Sequence, residues 1–170
     1  MQPLYDPEAV RPMWEELAQC GVEPLKTPDA VNDAMGQTGT TLMIVNSVCG
    51  CAAGSARPGV TKALQNSKIP THLKTVFAGV DRDATQQARE FMDVPPSSPA
   101  IALFKDGTLV HMLERRQIEM MNEDMVAQNL VEAFNEHCDR QGPSIPKEEY
   151  EKMVSVKQCG SSVPLYNPFR

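Results

Sequence analysis

Residues 41–59 read TLMIVNSVCGCAAGSARPG, and the change of character within this stretch decides the fold. Residues 41–46 form a short, nearly continuous apolar run, the pattern of a β-strand buried on both faces. Two cysteines follow almost at once, Cys49 and Cys51, separated only by Gly50. Beyond them Val60, Ala63 and Leu64 fall at helical spacing, and the pattern fades near residue 67. The stretch is a strand that runs through a cysteine-bearing turn into a helix. Gly50 is expected to let the backbone turn tightly between the two sulfurs. Pro58, with Gly54, Ser55 and Gly59 around it, predicts a kinked helix and an irregular turn beneath the cysteines.

Two helices precede this stretch. Asp6-Pro7 is a start signal, and Val10, Met13, Trp14, Leu17 and Ala18 share one face until Gly21 ends the element. Thr27-Pro28-Asp29 repeats the signal for a short helix ending near Gly36. Downstream, residues 73–80 (LKTVFAGV) read as a second strand and residues 81–92 as the helix after it. Val94-Pro-Pro-Ser-Ser-Pro99 is extended, because neither helix nor ladder continues through those prolines. Residues 101–113 (IALFKDGTLVHML) read as a hairpin turning at Asp106-Gly107. A last helix over residues 121–137 is expected to turn Met125, Val126, Leu130, Ala133 and Phe134 inward, and Met120 and Met121 are read as core fillers. After the two leading helices the order is β-α-β-α-β-β-α, with a right-handed parallel crossover between the first two strands. That is an α/β, thioredoxin-like arrangement: a central mixed sheet with helices on both faces, N-terminal helices added, and a C-terminal extension.

Composition narrows the function. A chain of 170 residues with net charge −6 lacks the basic face of a nucleic-acid binder. No apolar run approaches the ~18–20 residues that cross a bilayer, and the first residues carry no basic, apolar leader pattern. The expectation is a cytoplasmic protein that binds neither nucleic acid nor membrane. Five cysteines, an odd number at uneven spacing, do not describe a secreted disulfide scaffold. In a reducing compartment, two cysteines one residue apart point to redox, catalytic or metal chemistry.

The chemistry of the pair depends on a thiolate, since the neutral thiol is a poor nucleophile. An ordinary cysteine titrates near ~8.5, and unpaired N–H groups at a helix start lower that value. Cys49 stands where strand gives way to helix, and Cys51 is close enough in sequence to attack a mixed disulfide on Cys49. A bridge between residues i and i+2 closes a small ring, so an easily reduced bond is expected. Ser98-Pro99, leading straight into a strand, occupies the place where thioredoxin-like proteins set a cis-proline beside the redox pair. Arg57 lies within the redox segment, where it would steady a thiolate or an acidic substrate or else stand at the surface. Two competing readings remain. A C-x-C pair supplies two soft ligands for a metal, although a closed zinc site needs four, and an interaction protein would keep the fold without turnover.

SVCGCAAGSARPG, HLKTVFAGVDRDAT, PPSSPAIALFKDG and EAFNEHC resemble the bacilliredoxin family, thioredoxin-like proteins with a CGC redox centre, over roughly residues 5–138. The resemblance implies removal of the low-molecular-weight thiol bacillithiol from mixed disulfides on client proteins, with weaker disulfide reductase or isomerase activity. It implies Cys49 as the attacking cysteine and Cys51 as the resolving one; by their positions Gly50, Ser98, Pro99 and Arg57 are the candidate substrate-binding residues. It implies no metal and no organic cofactor, bacillithiol being a thiol co-substrate.

The domain is therefore residues 1–139, with an extension at 140–170. Val163, Leu165, Tyr166 and Phe169 give that tail too much apolar surface to be left in water, so it is expected to pack on the domain or on a second subunit. Cys20 and Cys138 read as packed thiols. Cys159 reads as a packed thiol ahead of an additional resolving one, and Arg115-Arg116 as a solvated face. His72, His111 and His137 have no partner in sequence that suggests catalysis.

Overall fold

A computed structural model describes residues 1–169. Helix α1 (Pro7–Ala18) begins at Asp6, whose carboxylate accepts the Glu8 N–H at 2.9 Å. Strand β1 (Glu23–Pro24) and α2 (Pro28–Met35) follow, the latter capped by Thr27 Oγ1 accepting the Ala30 N–H at 3.2 Å. Then come β2 (Thr40–Asn46), a π-turn at Ala52–Ala56 that runs into α3 (Arg57–Ala63), and the short β3 (Lys68–Ile69). Strand β4 (His72–Phe77) leads to α4 (Arg82–Glu90). The hairpin of β5 (Ala100–Lys105) and β6 (Thr108–Leu113) turns at Asp106 and Gly107 with φ of 50° and 81°, the conformation that Asp-Gly favours. Helices α5 (Arg115–Ile118) and α6 (Glu123–His137), strand β7 (Arg140–Gln141) and helix α7 (Lys147–Glu151) complete the regular elements before the tail.

The main sheet has the order β1-β4-β2-β5-β6. Strand β2 is central, parallel to β4 through Leu42 opposite Leu73 and antiparallel to β5 through Ile44 opposite Ile101. All its residues are buried, as the unbroken apolar run requires. Its side chains alternate between two cores. Leu42 and Ile44 meet Leu17, Val60, Leu64, Leu130 and Phe134 on the face covered by α1, α3 and α6. Met43 and Val45 meet Val31, Met35, Ala84, Ala88 and Phe104 on the face covered by α2 and α4. The fold is the α/β, thioredoxin-like one expected from element order. The short β1, beside β4, and the β3–β7 pair are additions that two-residue strands do not announce in sequence.

Two expectations about packing are corrected. Met125 is exposed, not inward, because α6 buries the stripe through Val126, Ala127, Leu130, Ala133 and Phe134 and Met125 lies just off it. Met120 is 82% exposed in the turn before α6, and of the three methionines only Met121 packs against the core.

The tail lies against the domain. Tyr5 bridges Leu165, the Asp6 N–H donates to the Pro164 carbonyl at 2.9 Å, and Tyr166 donates to Leu4 O at 3.0 Å. Val163 is buried with Val10, Met13, Val48 and Phe77. Leu165 and Phe169 stay exposed, the latter at 94%, so the apolar content of the tail is only partly covered.

Candidate redox site

The site forms where β2 and β4 end. The backbone leaves β2 at Asn46, passes Ser47 and Val48, and enters a helix that begins at residue 50. Asn46 is buried and fastens this exit. Its side-chain amide donates to Met13 O at 3.2 Å, and its oxygen accepts the Ser47 N–H at 2.9 Å and Arg57 Nη1 at 3.1 Å. The cysteines thus stand at the helix start, with Ala52 and Ala53 N–H both donating to Cys49 O. The irregular winding expected from Pro58 is real but lies after the cysteines. The π-turn over Ala52–Ala56 resets the hydrogen-bond register before the ring that lacks an N–H, so the helix start beneath Cys49 is kept.

Gly59 has a packing reason instead of a loosening one. A Cβ there would stand 2.6 Å from Val126 Cβ and Cγ1, so its absence lets α3 lie close against α6. Gly50 is exposed, has no positive φ, and a Cβ there would meet nothing within 4 Å. The tight turn between the sulfurs therefore does not require glycine; the position simply leaves the approach to them open.

Cys49 Sγ and Cys51 Sγ are 2.8 Å apart as thiols. Both are half-buried, so exposure does not separate them. Direction does: Cys49 lines an open cleft with Ser47, Val48, Ser98 and Arg115, whereas Cys51 packs against the core of α3 and α6. Burial pushes the Cys49 thiol up, but the Cys51 thiol, the Ser47 hydroxyl at 3.3 Å, the Ala52 N–H and the Arg115 guanidinium together bring it below its ordinary value. Burial pushes Cys51 up to about 12, helped by its hydrogen bond to Cys49 and by the charge there. Of the two, Cys49 is the more readily ionised.

The Ser98–Pro99 bond is cis, as the position before β5 suggested. Ser98 lines the cleft and Pro99 is buried. Arg115, read from sequence as part of a solvated face, belongs to the site. Its Nη1 donates to Ser98 O at 3.3 Å, its N–H to Ser97 Oγ at 3.4 Å, and its Nε pairs with Glu119 at 2.6 Å. Arg115 is brought to Cys49 by the β5–β6 hairpin, a closure that local spacing does not reveal. Arg116, its neighbour, is indeed solvated.

Arg57 is corrected in place. It is 0% exposed, so it neither stands at the surface nor contacts a substrate directly. Nε pairs with Glu16 at 3.0 Å, Nη1 donates to Asn46 Oδ1 and to Ser47 O at 2.9 Å, and Nη2 donates to Val156 O at 3.1 Å. The guanidinium ties α1, the β2 exit and the tail together beneath the cysteines, and it shares an electrostatic interaction with Cys49.

Of the other three thiols, Cys20 and Cys138 are packed as expected and Cys159 is not. Cys20 is buried against Met153 and pushed up to about 12 by burial, and Cys138 is buried and likewise raised. Cys159 is exposed, contrary to the packed reading, on a stretch whose next residue, Gly160, rests on Val48. His111 meets Asn129 and His72 meets Thr38 O, both away from the sulfurs. Among the described residues no group of three or more His, Cys, Asp and Glu side chains is arranged to hold a metal ion, and no helix is long and apolar enough to cross a membrane.

Comparison with known proteins bears on this geometry. A family model described as disulphide isomerase matches residues 5–138. A bacilliredoxin of Cytophaga hutchinsonii is 54% identical over 134 residues, spanning 78% of this chain and 99% of that protein. One of Salinibacter ruber is 49% identical, spanning 82% and 84%, and one of Bacillus cereus is 47% identical, spanning 78% and 92%. Among solved structures, mitochondrial thioredoxin 3 of Saccharomyces cerevisiae in its oxidized form is 15% identical over 70% of this chain and 98% of its own, with a TM-score of 0.48. The family match stops at residue 138, so the tail lies outside it.

Proposed function

The chain belongs to the bacilliredoxin family and is a thiol–disulfide oxidoreductase, and from that premise we propose that it removes bacillithiol from mixed disulfides on client proteins. The observation that carries this reading is the asymmetry of the CGC: the surroundings of Cys49, which lines a cleft, draw its pKa down, whereas Cys51, 2.8 Å behind it, has its pKa pushed up. The Cys49 thiolate attacks the bacillithiol sulfur. The client–bacillithiol S–S bond breaks, a Cys49–bacillithiol disulfide forms, and the client leaves as a thiolate that takes a proton from solvent.

Cys51 then becomes easier to ionise. Two of the influences that hold its proton, the hydrogen bond and the charge of Cys49, vanish once Cys49 is in a disulfide. It attacks Cys49 Sγ, bacillithiol departs as a thiolate, and the Cys49–Cys51 bridge is left two electrons short, to be reduced again by two equivalents of an external thiol. No metal or organic cofactor enters this cycle. Slower reduction or reshuffling of protein disulfides uses the same two sulfurs, and a reducing compartment such as the cytoplasm suits the resting thiols.

The test is release of bacillithiol from a bacillithiolated client. The native chain is expected to release it, Cys49→Ser is expected to be inactive, and Cys51→Ser is expected to complete one exchange and stop. Undiminished release by Cys49→Ser would overturn the reading.

A further inference from the structure

The cleft beside Cys49 encloses about 800 Å³, a volume that fits a small molecule. Its charge is opposite to that of the chain. The protein as a whole carries −6, yet the charged side chains lining the cleft are Arg82, Arg89 and Arg115 against Glu90. Helix α4 supplies much of this wall: Arg82, Thr85, Gln86 and Arg89 recur at helical spacing on one face, turned towards the sulfur.

The arginines are not equivalent. Arg115 is engaged by Glu119. Arg82 donates through Nη1 to Gln2 O, and Arg89 through Nη2 to Ser97 O at 3.3 Å. Neither has a carboxylate partner among the described residues. Among the described residues Arg89 Nε is shielded from water and has no acceptor, and burial draws the Arg89 pKa down. A guanidinium partly removed from water and paired only with a neutral carbonyl gains most from an incoming anion.

We propose that the α4 face of the cleft, with Arg89 as principal partner and Arg82 as second, binds the carboxylate of the small thiol exchanged at Cys49, and so selects acidic low-molecular-weight thiols over neutral ones. This rests on the reading of Cys49 as the sulfur that accepts the small thiol. Arg89 also anchors Ser97 next to the cis bond, so an anion drawn to Arg89 lies against the same wall that presents Ser98 to the cleft.

The test uses the full chain and a single-cysteine peptide carrying either glutathione or glutathione dicarboxamide, which keeps the shape and loses both negative charges. Each rate is normalised to exchange with dithiothreitol, to remove differences in the leaving thiol. The native chain is expected to favour the acidic probe by roughly tenfold, with the preference shrinking as salt rises. Arg89→Ala is expected to abolish most of that preference and Arg89→Lys to retain part of it. Gln86→Glu, an exposed change that disturbs no packing, is expected to reduce it by placing a like charge in the cleft. Equal handling of the two probes with Cys49-dependent turnover intact would overturn the inference alone. A preference that follows Asp against Asn in the peptide instead of the thiol would also overturn it. Loss of Cys49-dependent turnover with either probe and with bacillithiol would overturn the functional reading beneath it.

Discussion

Two sulfurs 2.8 Å apart hold their protons unequally, and the inequality comes from what each one faces. Cys49 has the helix-start N–H of Ala52, the Ser47 hydroxyl and the Arg115 charge, whereas Cys51 faces apolar core. The rate of Cys49 alkylation by iodoacetamide is therefore expected to rise with pH about a midpoint below the ~8.5 of an ordinary thiol. Arg115→Ala moves that midpoint up, and an unmoved midpoint would remove Arg115 from the site. Stability should follow the same groups. Between the lowered Cys49 titration and the ordinary thiol value, the unfolded chain binds the extra proton, so the reduced protein gains stability as pH rises. Above that window the sign reverses, because folded Cys51 and Cys20 hold their protons up to about 12. Urea midpoints against pH should show both limbs, and Cys49→Ser should lack the rising one. The pair and the proline were legible in sequence because their chemistry depends on neighbours within a few residues. Arg115 was not, because only the hairpin brings it to Cys49, and neither was Ser47, an ordinary strand-end serine until the turn folds its hydroxyl onto the sulfur.

At the scale of elements, the contact that positions the redox helix is α3 on α6, and Gly59 sets its spacing. Gly59→Ala gains helix propensity but drives a Cβ into Val126. The expected net loss is about 1–3 kcal/mol in denaturant unfolding, partly recovered in the Gly59→Ala/Val126→Ala double variant. Additive losses would mean that the two residues do not meet. In sequence, Gly54, Gly59 and Pro58 look like three weaknesses in one helix. Only the register of α6 shows that Gly59 is a contact, and only the π-turn shows how Pro58 is accommodated. The strand–helix order was readable because burial on both faces of β2 leaves an unbroken apolar run, whereas the two-residue strands β1, β3 and β7 are too short to leave any period.

Across the whole molecule, the buried Arg57–Glu16 pair joins α1, the β2 exit and the tail. Among the described residues Glu16 Oε1 already lacks a donor, and Oε2 takes both Arg57 and the Val156 N–H. Arg57→Met would leave that carboxylate buried and unpaired, at a cost of about 3–5 kcal/mol, and Arg57→Met with Glu16→Leu should restore much of it. Sequence could place Arg57 near the cysteines but could not bury it, since its partner stands on another helix. The central claim remains the direction of attack at the CGC. The most direct test is intact-protein and peptide mass spectrometry of Cys51→Ala after incubation with a bacillithiolated client. The account predicts one bacillithiol adduct, mapped to Cys49, together with released client thiol. An adduct on another cysteine, or a client protein joined to Cys49 with bacillithiol set free, would contradict it.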